Sequence, residues 1–264
     1  MVLKGREKQI VDERIKKIGT LREAGVNPYA HRFDLNDERV HSVDVKEKFA
    51  KLKDEAKSGK SAVVAGRVMT KRSFGKLSFF NLQDLRGTIQ IVVQKGEVPE
   101  AVVDMFKKTD AGDIVGVKGE VVKTRTGEVS IMAQEIFILT KSILPLPDKH
   151  AGLKDEEEKL RKRYLDIIMN EEVKDIFVKK QRFWNATRSF LIDRNFLEVE
   201  TPVLETSAGG AAATPFATHH NALDMDVFLR ISMGELWQKK LLVAGYEKTF
   251  EIGRQFRNEG MDAE

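Results

Sequence analysis

The sequence contains no cysteine among its 264 residues. Disulfides and thiolate metal sites are therefore excluded, and a reducing compartment is the simpler expectation. No run of about 18 apolar residues is present to span a membrane, and the first residues lack the apolar segment of a signal peptide. A cytoplasmic location is expected. The sequence also lacks a phosphate-binding P-loop, a nucleophile–base pair and a cluster with metal-ligand spacing.

Hydrophobic residues make up 41% of the chain and charged residues 33%, which is enough apolar material for real cores. The length suggests about two domains. Residues 1–60 hold 15 basic against 11 acidic residues, and the rest of the chain is balanced. A basic N-terminal helix would attract phosphate backbones at long range. The simpler alternative is a solvated helix face.

Residues 1–60 are predicted to form a helical extension. The first helix is expected over 4–24, with one stripe that is apolar until its last turn. This stripe consists of Val11, Ile15, Ile18 and Arg22. A second, highly charged helix is expected over 43–57, with Ser42 as its N-cap. Residues 58–60 then break the pattern.

Residues 61–142 change to short β-rich runs that are separated by turn signals. The five runs are AVVAGRVM, LSFFNLQD, TIQIVV, DIVGVKGEVV and VSIMAQEIFIL. One short helix, AVVDMFKK, lies between the third and fourth runs. This order is typical of the OB-fold, a five-stranded barrel. Glycines 66, 116 and 119 suit its bulges and close approaches.

Residues 143–160 are expected to be a linker, because two prolines stiffen it and an acidic run solvates it. Residues 161–264 alternate helices and strands without a glycine-rich crossover fingerprint, so we predict an α+β domain on an antiparallel sheet. Its expected elements are a helix over 171–194, an extended FLEVETPVL, a strand over 227–232, a helix over 234–244 and a strand over 247–257.

The barrel has a candidate surface for single-stranded nucleic acid, on which basic groups follow the backbone and aromatic rings stack on bases. Its residues are Arg67, Lys71, Arg72, Phe79, Phe80 and Gln90. Phe79 and Phe80 point to opposite faces of a strand, so only one of them can stack and the other should be core. In the alternative interpretation both rings belong to the barrel core or rim.

Three features of the second part are candidates for chemistry. Arg254, Arg257, Asn258 and Glu259 follow a predicted strand, and an arginine fork suits a phosphate that gains charge. A surface salt bridge is the simpler alternative. Glu235 begins a helix, where it could balance a cationic substrate or simply favour the helix dipole. Residues 209–213 almost lack side chains and could approach a ligand or form a flexible loop. His219 and His220 are expected to be hydrogen-bonding loop residues.

Together these segments resemble the class II lysyl-tRNA synthetases over essentially the whole chain. The matching segments are LREAGVNPY, AGRVMTKRSFGKLSFFNLQD, KTRTGEVSI, LPLPDKHAGL, RKRYLDII, FLEVETPVL, GGAAATPFATHHNALDMDVFLRIS and YEKTFEIGRQFRNEG. FLEVETPVL resembles motif 1 of class II enzymes, and FEIGRQFRNEG resembles the first half of motif 2, which is only class-specific. The alanine-rich segment is more specific to the family.

The resemblance implies a role for each matching residue. Arg257 would hold the α-phosphate of ATP, and Glu259 would contact ATP or the substrate amino group. Gly210 and Glu235 would line the lysine pocket, although RISMGELWQ is one residue longer than the family's run. Pro202 would lie in the interface of a homodimer. For the anticodon of a lysine tRNA, Phe79 would stack on a base, Gln90 and Glu128 would read base edges, and Arg72 would support the backbone.

The resemblance further implies a lysine–tRNA ligase that uses ATP as substrate and Mg²⁺ in the full-length enzyme. The chain ends at Glu264, before motif 3 and the metal-binding strand, so we expect a fragment with no metal ligands and little catalysis of its own. Two alternatives remain open. One is a non-catalytic RNA-binding module, and the other is a synthetase of aspartyl or asparaginyl specificity.

Overall fold

The structure is a computed structural model that describes residues 5–147, 155–209 and 212–260. The chain forms two compact units, Met1–Arg161 and Lys162–Glu264. The elements of the first unit are α1 (Gly5–Glu23), a 3₁₀ turn (Asn36–Glu38), α2 (Ser42–Lys48), β1 (Lys57–Phe74), β2 (Leu77–Gln83), β3 (Thr88–Gln94), α3 (Glu100–Lys108), β4 (Ile114–Lys123), β5 (Val129–Thr140) and α4 (Glu156–Arg161). All of the last helix except Arg161 lies within the region predicted to be linker.

The five strands of the first unit close into a barrel in the order β1-β2-β3-β5-β4. All pairs are antiparallel except β3 with β5, which are parallel. The five predicted strands, the intervening helix and the OB-fold are therefore confirmed. Inward-facing side chains fill the core, among them Val64, Val68, Phe80, Leu82, Ile91, Val117 and Ile131. Each large apolar side chain contributes about 1.5–3 kcal/mol when fully buried.

Two glycines allow the barrel to bend. β1 pairs with β4 through its first part and with β2 through its second, and Gly66 lies at this change of partner. A Cβ there would collide with the carbonyl oxygen of Gln83. The register of β4 with β5 shifts at Gly119, where a Cβ would collide with the carbonyl of Met132. The prediction that glycines serve bulges and close approaches is correct.

Helix α1 was placed correctly by the sequence, but only half of its predicted stripe is right. Val11 and Ile18 are buried, whereas Ile15 is 51% exposed. Arg22 is also exposed, and Arg14 and Leu21 are buried in their place. Arg14 is held by three backbone carbonyls, those of Ala111, Ser142 and Leu144. Helix α1 therefore attaches to the barrel partly through a buried cation.

The second predicted helix was too long. Helix α2 ends at Lys48, and β1 begins at Lys57. The expected break at 58–60 is an irregularity within β1, where Gly59 has a φ of +65° and the register with β4 shifts. Ser42 is inside the helix and is not its N-cap. Its amide and hydroxyl donate to the carboxylate of Asp84.

A buried ionic cluster joins α1 to the loop between α3 and β4 of the barrel. The ammonium of Lys141, whose side chain is fully buried, donates to the carboxylates of Asp110 and Asp113 and to the carbonyl of Lys108. Lys17 of α1 also donates to Asp110. Burial alone would raise the pKa of Asp110, but hydrogen bonds from Lys141 and Lys17 outweigh it and lower the pKa. Part of the N-terminal positive charge is thus used within the unit.

The second unit contains two small sheets. Its elements are α5 (Arg163–Met169), α6 (Glu171–Ile192), β6 (Leu197–Glu198), β7 (Leu204–Glu205), β8 (Ala217–His220), β9 (Met225–Leu229), α7 (Glu235–Val243) and β10 (Thr249–Phe250). Strands β7, β9 and β8 form an antiparallel sheet in this order, and β6 and β10 pair in parallel. The α+β architecture is confirmed, with one parallel pair added to the expected antiparallel sheet.

Several boundaries in this unit differ from the expectations. The strand expected over 227–232 ends at Leu229, and the one expected over 247–257 pairs only at Thr249–Phe250. His219 and His220 lie on β8 and not in a loop. None of the apolar side chains of α6 is buried. No helix among the described residues is both long and apolar enough to cross a membrane.

Candidate functional site

The barrel exposes one of the two adjacent phenylalanines and buries the other. Phe80 is only 1% exposed and belongs to the core, whereas Phe79 is half-buried on the outer face. Strand pairing places Phe79 between Arg72 of β1 and Val92 of β3. Directly paired residues share a face of the sheet, so the Arg72 side chain emerges beside the Phe79 ring.

A groove of about 730 Å³ opens over this face. Phe79 and Gln90 line it, with Val92 and Met132 as an apolar floor. Its rim includes the basic residues Lys57, Lys123 and Arg125 and the acidic residues Glu55 and Glu97. An aromatic ring and a polar amide above an apolar floor form a surface that fits an unstacked base.

Gln90 is held by two side chains, one directly before β5 and one on it. Its Nε2 donates to the carboxylate of Glu128 at 3.0 Å, and its Oε1 accepts from the hydroxyl of Ser130 at 3.1 Å. Gln90 is 8% exposed and Ser130 is fully buried. The structure therefore brings together Arg72, Phe79, Gln90 and Glu128, the four predicted anticodon-binding residues, through strand pairing and one hydrogen-bond chain. Ser130 was missed, although it follows Glu128 by two residues and so shares its face.

The basic side chains around the groove differ in whether they already bond to other groups of the protein. Lys57 pairs with Glu97 at 3.1 Å. Lys123 donates to the carbonyls of Leu52 and Ala50. Arg72 and Arg125 are exposed and make no hydrogen bond or ion pair with any described residue. These two guanidinium groups remain available for phosphates.

Two other members of the predicted basic surface do not belong to it. Arg67 donates to the carbonyl of Gly112, and Lys71 donates to the carbonyls of Phe106 and Thr109 at the end of α3. The Lys71 ammonium also lies 4.2 Å from the centroid of the Phe106 ring. Burial lowers the pKa of Lys71 to about 8. Both side chains stabilise the barrel, and this part of the prediction was wrong.

In the second unit, a buried arginine joins three segments. Arg230, 4% exposed, donates to the carboxylate of Glu251, to the hydroxyl of Thr201 and to the carbonyl of Arg254. Burial would raise the pKa of Glu251, but bonds from Thr201 and Arg230 outweigh it and lower the pKa. Arg230, which was not among the predicted site residues, thereby connects β9 to the segment after β10.

Arg257 is exposed, and its Nε lies 3.4 Å from the carbonyl of Ile231. The next residue, Asn258, donates its backbone N–H to the carbonyl of Thr214, just after the small-residue segment 209–213. The hydroxyl of Ser232 donates to Gly209. The arginine-bearing segment and the small-residue segment therefore both border residues 230–232. Gly210 itself lies outside the described residues, and Glu259 is exposed without a hydrogen bond to any described residue.

Glu235 is the first residue of α7, is exposed, and pairs with Lys239 one turn later at 3.0 Å. A tight turn precedes it, in which the N–H of Gly234 donates to Ser232. Gly234 has a φ of +57°, which favours glycine, and a Cβ there would collide with Thr201. Helix α7 begins directly after this turn.

Pro202 lies on an exposed segment that directly follows the buried Thr201. Thr201 is buried and forms hydrogen bonds with Arg230 and Glu251, whereas Val203 and Leu204 are 42% and 47% exposed.

The described residues contain no group of three or more His, Asp or Glu side chains able to hold a metal ion. These described residues therefore do not fit a Mg²⁺ site.

Comparison with known families agrees with both parts of this description. An OB-fold nucleic acid binding domain matches residues 62–139, and the family "tRNA synthetases class II (D, K and N)" matches residues 155–264. The second part of the chain, residues 155–264, therefore carries a class II tRNA synthetase domain. Similar curated proteins, each named lysine–tRNA ligase, include those of Halalkalibacterium halodurans and Enterococcus faecalis, both 50% identical, and of Syntrophomonas wolfei, 46% identical.

These matches cover 94% of this chain and 49%, 50% and 48% of the three relatives, respectively. The chain thus spans about half the length of the curated relatives it matches. The barrel, with its groove, is complete in the described residues, and the class II part includes the segments around Pro202 and Arg257.

Proposed function

We propose that the barrel groove binds the anticodon loop of a lysine tRNA and that the whole protein is a lysine–tRNA ligase. The observation that carries this proposal is the half-buried Phe79 ring beside an amide already oriented by Glu128 and Ser130. Stacking attracts any unpaired base, and the oriented amide adds selection among bases. Arg72 and Arg125 would contact the RNA backbone.

Binding of a labelled anticodon stem-loop, measured by fluorescence anisotropy, tests this proposal. Stacking of one base contributes about 1–3 kcal/mol, so Phe79→Ala should weaken binding about fivefold or more. Phe137→Ala is the matched control. Its ring packs against Phe33, with centroids 5.6 Å apart, and is not part of the groove. Equal affinity of Phe79→Ala and wild type would contradict the proposal.

For the second unit, the proposed roles follow the resemblance. Arg257 would stabilise the α-phosphate of ATP during formation of the lysyl adenylate, by charge that is already in position. Glu259 would contact ATP or the amino group, and Gly210 and Glu235 would line the lysine pocket. The position of Arg257 beside residues 230–232, next to the small-residue segment, supports this assignment. The intact start of α7 supports the register of Glu235.

Lysine-dependent exchange of pyrophosphate into ATP by the whole protein tests the adenylation step. Arg257→Gln should reduce exchange at least about tenfold if it stabilises transition-state charge. Arg254→Gln is the matched control, since Arg254 is also exposed and its backbone carbonyl, not its side chain, contacts Arg230. Exchange that depends on aspartate or asparagine and not on lysine would favour the aspartyl or asparaginyl alternative.

The proposed homodimer would use the segment around Pro202, where apolar side chains are exposed. Val203→Asp should then shift the protein to monomers in sedimentation experiments, because an unpaired charge in an interface is costly. A cytoplasmic location is proposed with the synthetase function. If the whole protein binds the anticodon loop but shows no exchange with any amino acid, the RNA-binding module becomes the better description.

A further inference from the structure

Another groove, of about 660 Å³, is lined by residues of α2 and of the first part of β1, and we call it the α2 groove. Its apolar lining includes the buried Val45 and Val63 and the partly exposed Val40. It shares no lining residue with the groove over Phe79. Its volume lies within the range of about 300–1,000 Å³ that is usual for ligand-binding clefts.

The charges around the α2 groove are unbalanced. The two acidic residues that line it already have basic partners, since Asp44 pairs with Arg86 at 2.7 Å and Glu38 lies 3.9 Å from another lysine of the rim. Lys48 and Lys60 also line the groove and are exposed, and neither ammonium makes a hydrogen bond or ion pair with a described residue. The groove therefore attracts carboxylates.

Strand β1 presents a free edge to the α2 groove. β2 pairs with β1 only from Arg67 onwards, and no other strand of the described residues occupies that edge before it. The carbonyl of Val63 points to this edge, where it accepts from the N–H of Val40 at 2.9 Å. Backbone groups alternate along a strand, so the N–H and C=O of Ser61 point to the same edge. An extended peptide can pair with such groups.

We propose that the α2 groove binds an extended acidic peptide of a partner protein, which pairs with β1 at Ser61 and places carboxylates near Lys48 and Lys60. Alternate side chains of the peptide would contact the apolar lining, which gives sequence preference. The free strand edge favours a peptide over RNA, because it pairs with another peptide backbone. The inference does not rest on RNA binding by the groove over Phe79.

The test measures binding of the whole protein to an array of short peptides that alternate Asp or Glu with Leu, Ile, Val or Phe. Some should bind, and the same peptides with Lys in place of Asp and Glu should not. Lys48→Glu combined with Lys60→Glu should weaken binding of the best peptide about tenfold, because two attractions become repulsions. Lys46→Glu combined with Lys51→Glu is the matched control, since it changes the net charge equally at neighbouring positions that do not line the groove.

Pairing with the strand edge has a readout of its own. Every second amide of the peptide would donate to β1, so N-methylation of successive amides, one at a time, should abolish binding at alternate positions only. Val40→Ser should weaken binding about threefold, because part of the apolar contact is lost. N-methylation with the same effect at every position would contradict strand pairing.

Three results would overturn the proposal. If no peptide of the array binds, Lys48 and Lys60 only keep the strand edge from pairing. If no peptide binds and the Lys48→Glu, Lys60→Glu variant sediments differently from wild type, the groove belongs to a second copy of the chain. If no peptide binds and that variant loses affinity for RNA, the groove belongs to RNA. Phe79→Ala should leave peptide binding unchanged, so failure of the RNA-binding proposal is seen separately.

Discussion

Replacing Lys141 by methionine tests the buried ionic cluster of the barrel. All three ammonium hydrogens are used, at 2.7 Å to Asp110, 2.6 Å to Asp113 and 2.8 Å to the carbonyl of Lys108. The Lys141 and Asp113 side chains are fully buried, and Asp110 is 17% exposed. Methionine would keep most of the volume but leave the buried Asp113 without its cation and Asp110 with Lys17 alone.

Removing one partner of a buried ion pair costs about 3–5 kcal/mol. We expect the lower end, about 3 kcal/mol, because Asp113 keeps bonds from the backbone N–H groups of Asp110 and Ser142. Both tryptophans lie in the second unit, so fluorescence would not report on the barrel. Hydrogen exchange of β4 peptides at increasing urea concentration measures the free energy of unfolding of the barrel directly.

The effect should depend on pH. The pKa of Asp110 is below its usual value in the folded state, so its contribution is present above about pH 4 and is lost as pH falls through the folded pKa. The difference between wild type and Lys141→Met should therefore be full at pH 7 and shrink below pH 4. Lys107→Met, which breaks an exposed pair with Asp104, should leave stability unchanged. A Lys141→Met loss below about 1 kcal/mol would refute this reasoning.

Three further outcomes are expected. Gly119→Ala should lower the free energy of unfolding by about 1–3 kcal/mol, because the added Cβ would collide with the backbone of Met132. Gly19→Ala in α1 should raise it by up to about 1 kcal/mol, because nothing lies within 4 Å of the added Cβ. Urea titration of both variants measures whether Gly19→Ala is the more stable of the two. Arg125→Gln should reduce the slope of log affinity against log salt by about 0.7 for all loops alike, and an unchanged slope would exclude a phosphate contact. The stability of the wild type relative to Lys71→Met should rise between about pH 8 and pH 10.5, because Lys71 loses its proton at a lower pH in the folded than in the unfolded protein. A difference that does not change with pH in denaturation experiments would contradict this.

The barrel could be predicted from the sequence because its information is local. Side chains alternate along each strand, so adjacent Phe79 and Phe80 had to face opposite sides. Which of them is core follows from register alone, and Phe80 is the buried one. The sequence could not predict the burial of Arg14, because its three carbonyl partners lie about 100 residues or more further along the chain.

The polar residues near the groove illustrate the same limit. Composition made Arg67, Lys71 and Arg72 equivalent candidates for RNA contact. Arg67 and Lys71 instead donate to carbonyls at the end of α3 and in the loop after it, whereas Arg72 makes no bond to a described residue and lies beside Phe79. A charge pattern cannot distinguish these uses, because the carbonyl partners belong to α3 and the following loop and not to β1.

The two units use buried arginine and lysine for one purpose, which is to hold distant segments at a fixed position. In the first unit, Lys141 and Arg14 join α1 to the barrel. In the second, Arg230 joins Thr201, next to Pro202, to the segment that continues to Arg257. Removing Arg230 would displace both proposed sites at once, so its loss should change dimerisation and adenylation together. Substitutions at Pro202 or Arg257 alone should change only one of the two.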